Sequence, residues 1–190
     1  MLTAIVQTTN KVQDELAEEM GAEYVEVSTH LGARTRNKYM KHDYEAHDEW
    51  QGKVYKIHGS DNKYPNLVEK TGYGEITGLG GVNCRHIKWP VFPGISVPRK
   101  DFVDKKANDK AYELSQKQRA FETKIRGYKR EIEIGKISQD INKVNKYNSK
   151  LQNTFAEYDQ FCKDNNLTRD YNRERIFNVA SKEEKANYTR

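Results

Sequence analysis

Two apolar stripes at helical spacing, separated by one break in phase, constrain this chain more than any other feature. Leu114, Phe121, Ile125, Tyr128 and Ile132 step seven, four, three and four residues apart. Ile137, Ile141, Val144, Leu151, Phe155, Tyr158 and Cys162 step four, three, seven, four, three and four. Such intervals place side chains on one face of an α-helix, and a seam this narrow needs only one partner helix. Extending the first stripe lands on Gly135 and Gln139, so the phase breaks there. With Gly135 as a cap and Ser138 as the next N-cap, the pattern predicts two antiparallel helices joined by a tight turn. A seam of this kind closes within one chain or between two, which leaves self-association through the hairpin open.

A second stretch, Gly72 to Pro93, is of another kind. Five glycines fall between Gly72 and Gly81, and Asn83, Cys84, Arg85 and His86 follow at once. Trp89, Pro90, Phe92 and Pro93 then supply rigid bulk. Clustered glycines mark backbone that turns with positive φ or approaches something closely. Both a functional site and an irregular core loop are built this way.

Elsewhere the reading is coarser. Leu2, Ile5, Val12, Leu16 and Met20 predict an amphipathic helix over residues 2–20 with its stripe as the packing face, capped by Gly21. Glu23–Ser28 alternates and predicts a strand, as does Lys53–Ile57. Residues 35–46 read as a loop, and Pro65 as the opening of a short helix ending at Lys70. The predicted class is α+β: a compact domain over residues 1–100 with a small sheet and glycine-rich loops, then a long antiparallel helical hairpin over 101–165. A polar tail, 166–190, has Leu167, Ile176, Phe177 and Val179 as docking points and a frayed end.

Composition narrows the function classes. Hydrophobic residues make up 35% of the 190, against a usual ~45–50%, so part of the chain should lie outside a single compact globule. The net charge of +5 fits weak nucleic-acid contact and fits lysine-rich solvated helices equally well. Lys124, Arg126, Lys129, Arg130 and Lys136 are interleaved with Glu122, Glu131 and Glu133, which favours a solvated face. Two distant cysteines, Cys84 and Cys162, give no disulfide framework and suggest a reduced, cytoplasmic origin. No apolar run suits a membrane span and no secretory signal opens the chain.

The candidate chemistry gathers in one set of residues: Ser28, His30, Arg34, His47, Trp50, Gln51, Tyr73, Asn83, Cys84, Arg85 and His86. Cys84 and His86, two apart, would point the same way on a strand and could ligate zinc if His30, His47 or His58 supplied further ligands. No Cys-x-x-Cys or His-x-x-x-His spacing supports that, so no metal and no cofactor are assigned. His47 and His86, with His30 nearby, also suit acid and base roles in metal-independent RNA cleavage, Arg85 holding phosphate. The alternative is a hydrogen-bonded structural core in which Arg34 and Arg85 bridge backbone carbonyls and the histidines orient the glycine loop. Trp50 and Trp89 suit base stacking or a core. The glycines match neither phosphate-loop nor dinucleotide spacing.

Taken together, several separated motifs in one order resemble the C-terminal part of the phage minor capsid protein 2 family. They are Val25-Glu-Val-Ser-Thr-His30-Leu-Gly-Ala-Arg34, His47-Asp-Glu-Trp50-Gln-Gly52-Lys-Val-Tyr55, Tyr64-Pro65, Thr71-Gly-Tyr-Gly74, Asn83-Cys-Arg-His86 and Pro93-Gly-Ile-Ser96. Gln118–Arg126, Tyr128–Glu131, Tyr158, Phe161–Lys163 and Arg173–Arg175 continue the likeness. Gly80 and Val82 stand where the family usually carries a cysteine and a tryptophan, which removes a paired-cysteine role for Cys84. Family members are longer, so the chain reads as a fragment or a shortened member. The resemblance implies a virion protein made in the bacterial host cytoplasm, with portal or other capsid proteins as partners in head morphogenesis. It implies no catalysis. Related head-morphogenesis proteins carry C-terminal toxin domains of ribonuclease type, which keeps the enzyme alternative open.

Overall fold

The computed structural model describes residues 2–97, 99 and 103–176. Contacts divide the chain into two units, Met1–Glu113 and Leu114–Arg190.

In the first unit the alternating segment forms β1 (Tyr24–Val27), the centre of a three-stranded antiparallel sheet of order β2-β1-β3. β2 is Val54–Lys56 and β3 is Lys88–Val91. Val25 lies opposite Tyr55 on one side and Pro90 on the other. β3 falls within the Pro-rich segment, where no strand is evident from sequence. Its place at the sheet edge explains why Pro90, which cannot donate a ladder bond, is tolerated. Val25, Val27, Trp50, Tyr55, Leu67, Leu79 and Cys84 form the core.

Helix α1 (Leu2–Glu19) packs on the sheet through Val6, Asn10 and Ala17, which are buried. This corrects the expected packing face. Ile5, Val12 and Met20 are 56%, 52% and 51% exposed, and Leu16 is exposed too. At about 100° per residue, those four share a stripe that the sheet does not cover. The reason is steric: Asn10 must come close enough to accept from Lys88 N (2.9 Å) and donate to His86 O (3.3 Å). Small residues allow that approach.

Two short helices, α2 (His47–Trp50) and α3 (Leu67–Thr71), complete the unit. Asn66, not Pro65, opens α3, its side chain accepting from Glu69 N at 3.0 Å. Gly72 closes it in the left-handed conformation. The glycine stretch then folds on itself, with Leu79 N donating to Thr71 O (2.8 Å) and Val82 N to Ile76 O (2.7 Å). A Cβ at Gly78 would lie 2.0 Å from Gly72 O, and one at Gly81 would lie 2.2 Å from Ile76 O. Close backbone approach is why glycine stands there.

The long helices are α4 (Lys105–Ile137) and α5 (Ile141–Asp164). In the second unit Glu131 pairs with Lys143 (2.8 Å), Tyr128 meets Tyr147, and Phe121 stacks on Tyr158 with ring centres 5.0 Å apart. The helices therefore run antiparallel, around Ile125, Ile132, Leu151, Tyr158 and Cys162. The turn differs from expectation. α4 continues through Gly135, and Gln139 takes the left-handed position (φ 56°). Asp140 N donates to Gly135 O (2.9 Å) and Gln139 N to Lys136 O (3.3 Å), the paired bonds of a Schellman ending. Asp140, not Ser138, caps α5 through Lys143 N (2.9 Å). Gly135 is needed because a Cβ would lie 2.9 Å from Val144 Cγ2. Ile137 and Ile141, at the turn, are exposed rather than in the seam.

Part of the polar tail docks on this unit. Leu167 packs on its core, and Arg169 sits over Phe155 and Tyr158 while bridging Asp159 and Glu174. Arg126 and Lys129, in the basic face of α4, bond the carbonyls of Arg173 and Glu174. Phe177, Val179 and the end expected to fray lie outside the described residues.

Candidate functional site

Three turns bring the polar residues together at one edge of the small sheet. β1 is followed by Ser28, whose Oγ accepts from Ile87 N (3.0 Å) while Ser28 N donates to Ile87 O (2.8 Å). That pairing holds the segment carrying His30 beside the one carrying His86. Asn108, buried near the start of α4, fixes the next turn: its Oδ1 accepts from Gly32 N and Ala33 N (both 2.9 Å) and its Nδ2 donates to Ala33 O (3.1 Å). Arg34 follows. α2 supplies His47 and Trp50, and Gln51 comes directly after it.

The rings of His30 and His86 stack with centres 4.2 Å apart. His47 lies edge-on to His86 at 5.4 Å, and Trp50 contacts both His47 (4.6 Å) and His86 (4.7 Å). Trp50 Nε1 donates to Tyr44 O (2.8 Å), a core role rather than an exposed stacking platform. The three histidines of the proposed constellation thus converge around one ring.

Hydrogen bonds settle which nitrogens carry protons. Gln51 Oε1 accepts the backbone N–H of His30 at 3.0 Å, so this amide atom is the oxygen. The same oxygen lies 3.1 Å from His86 Nε2, which must therefore be an N–H donor. His47 Nε2 lies 2.8 Å from Thr77 O and must likewise donate. In the neutral rings both lone pairs then sit on Nδ1. His86 Nδ1 is 3.5 Å from Cys84 Sγ.

Burial sets the electrostatics. His86 is 0% exposed and His47 2%. Desolvation holds His86 well below the ordinary histidine range, and the neighbouring His30, His47 and Arg34 act in the same direction. Desolvation lowers His47 to about 4, against the raising effect of the Thr77 carbonyl. Burial also lowers His30 and pushes the Cys84 thiol up. At neutral pH the three histidines are uncharged, with Arg34 and Arg85 as the cations beside them.

Arg34 bridges two carbonyls of the glycine-rich turn, Thr77 O and Val82 O, each at 3.0 Å. Arg85 does not share that role: its side chain is exposed, beside the half-buried His30. Asn83 is exposed with φ 61° and forms the turn that delivers Cys84. Cys84 and His86 lie in the extended lead before β3, not on a strand. Tyr73 stands apart from the histidines. Its hydroxyl donates to Asp14, which also takes the fully buried Lys88 ammonium, itself 4.5 Å over the Tyr73 ring and bonded to Asn10 O (3.1 Å). His58 is exposed and away from the cluster.

Sequence reading missed Asn10, Asp14, Thr77, Lys88 and Asn108. Thr77 acts through its carbonyl and leaves no side-chain signal. Asn10 had one, because a polar residue stands between Val6 and Ala17 on a face of otherwise small apolar residues.

The arrangement resembles a fastened structural knot more than an open acid–base pair. Neither His47 nor His86 reaches solvent, and each donates its Nε2 proton to a protein oxygen. Sequence comparison supplies the class: the chain is similar to structural proteins of bacteriophages. It belongs to the phage minor capsid protein 2 family, whose match covers residues 1–163, and so to the proteins of the virion. A structural protein of Lactococcus phage LL-H is 32% identical over 130 residues, which is 65% of this chain and 35% of that protein. A structural protein of Lactococcus phage mv4 is 30% identical over 124 residues, 62% of this chain and 95% of that protein. The aligned part thus spans about a third of the LL-H protein and nearly all of the mv4 protein. No solved structure matches. Among the described residues no helix is long and apolar enough to cross a membrane.

Proposed function

We propose that this chain works in head morphogenesis near the portal, through protein–protein contacts rather than catalysis. The observation that carries this reading is the outward stripe of α1. Ile5, Val12 and Leu16 face solvent along one side of the helix, and Met20 continues the stripe just past its end. Apolar residues aligned on an exposed helix mark an interaction face more often than scattered ones do. Ile134, Ile137 and Ile141 form a second exposed apolar group at the hairpin turn, suited to self-association or to a neighbouring capsid protein. The inward placement of the histidines supports the same reading, since solvent-borne RNA has no approach to either ring.

The test is binding of the purified chain to the portal ring of the same phage, followed by sedimentation. The Ile5→Glu/Val12→Glu variant, shown folded by circular dichroism, should lose at least ten-fold in affinity. Equal binding by that variant, or none by the wild type, would remove the α1 face from the argument.

A further inference from the structure

His47, Cys84 and His86 each offer a ligand atom, and these three atoms lie within 4.8 Å of one another, all buried. The hydrogen bonds already described aim the chemistry. Both rings commit Nε2–H to an oxygen, Thr77 O for His47 and Gln51 Oε1 for His86. Both therefore turn the Nδ1 lone pair away from those oxygens, that of His86 toward Cys84 Sγ. Metal-bound histidines are oriented in this way, the second nitrogen donating to a carbonyl or carboxylate.

The Cys84–His86 distance suits zinc. Bonds of ~2.3 Å to sulfur and ~2.05 Å to nitrogen at a tetrahedral angle separate the two ligand atoms by roughly 3.6 Å. Cys84 Sγ and His86 Nδ1 are 3.5 Å apart. A plain S–H···N hydrogen bond also accounts for that pair, but it does not involve His47, whose buried ring offers a ligand atom within 4.8 Å of both.

We propose that His47 Nδ1, Cys84 Sγ and His86 Nδ1 form a three-ligand site for zinc(II). Binding replaces the thiol proton: Cys84–SH and Zn²⁺ give Cys84–S–Zn⁺, with one proton released to solvent. Thiolate with imidazole is a donor set for a borderline-soft ion rather than for magnesium or calcium. Three protein ligands leave the fourth position to water or a small anion. The ion would tie the segment after the glycine-rich turn to α2, where Gln51 and Arg34 already fasten it.

The experiment uses the full chain, stripped with chelator and titrated with cobalt(II) as a spectroscopic stand-in, then with zinc. One equivalent should give tetrahedral visible bands and a near-ultraviolet thiolate-to-cobalt transition, both removed by zinc. Cys162→Ala leaves Cys84 as the only thiol, so the transition must persist in it. Cys84→Ala should abolish the transition, and His47→Gln should weaken binding at least ten-fold, each variant checked by circular dichroism. Should those two fail to fold, the wild type and Cys162→Ala decide alone. No thiolate transition in either, or its loss in folded Cys162→Ala, overturns the site.

Discussion

Replacing Asn108 with alanine should destabilise the first unit far more than an alanine in a helix usually does. The side chain is buried and satisfies three backbone groups, Gly32 N, Ala33 N and Ala33 O. Each buried group left without a partner costs about 1–3 kcal/mol. Ala33 is itself buried, so its two groups carry the full penalty, whereas Gly32 is half-buried and can rehydrate. Alanine returns roughly 0.6 kcal/mol through its better helix propensity. The net expectation is about 1.5–5 kcal/mol, which for a unit of this size lowers the melting temperature by roughly 6–25 °C. Urea denaturation followed by tryptophan fluorescence suits the assay, because Trp50 and Trp89 both belong to this unit. Asn108→Asp separates the roles: it keeps an acceptor for both N–H groups but sets a carboxylate against Ala33 O, so it should also lose stability. A loss below about 0.5 kcal/mol in Asn108→Ala would refute the claim that this residue fixes the turn carrying His30 and Arg34.

Three further outcomes are expected. In chelator-treated protein, stability should fall as pH drops from about 6.5 to 4. His47 is held at about 4 in the folded state, so the unfolded chain binds the extra proton first, at a cost of about 3 kcal/mol by pH 4, and His86 shifts the balance in the same direction. Urea midpoints that stay flat across that window would contradict the burial of these rings. Gly78→Ala should cost at least about 4 kcal/mol, because the new methyl would meet the Gly72 and Thr71 carbonyls rather than a movable side chain; near-wild-type melting would show that the turn repacks. Gln139→Gly should stabilise the hairpin by about 0.5–1 kcal/mol, by relieving a left-handed non-glycine residue net of the entropy glycine adds to the unfolded chain; thermal unfolding followed by circular dichroism reads it, and unchanged melting would deny strain at φ 56°.

The long helices α1, α4 and α5 and the central strand were legible because their signals are local, whereas the four-residue α2 was not read as a helix. The seam of α4 and α5 repeats its apolar pattern over several turns, and Val25 and Val27 alternate cleanly with Glu26. Where reading went astray, a tertiary demand had overridden a local rule. Gly135 looks like a cap but answers to Val144 across the hairpin, so the left-handed position passed to Gln139. Pro90 read only as rigid bulk, yet it lies in an edge strand where its missing N–H costs nothing. The large residues of α1 read as its core face, but contact with Lys88 and the His86 carbonyl selects the small face instead.

The histidine cluster shows the limit in its sharpest form. Its members were visible as residue types, yet their convergence depends on Gln51 reaching two partners at once and on Thr77 offering a carbonyl. No spacing encodes either. A glycine-rich segment has few side chains with which to choose one conformation, so hydrophobic burial alone leaves its path underdetermined. Here the choice falls to polar groups of fixed geometry: Arg34 spans two carbonyls, and His47 takes one of the same pair. A path for residues 72–82 that moved the Thr77 carbonyl away would leave the buried His47 imidazole without its acceptor, at about 1–3 kcal/mol, and would turn the half-buried Arg34 guanidinium back to water. The buried polar cluster therefore specifies the path of the turn, whether or not an ion later joins it. That is a reason for this chain to keep ionisable residues inside while leaving isoleucine and methionine on its surface.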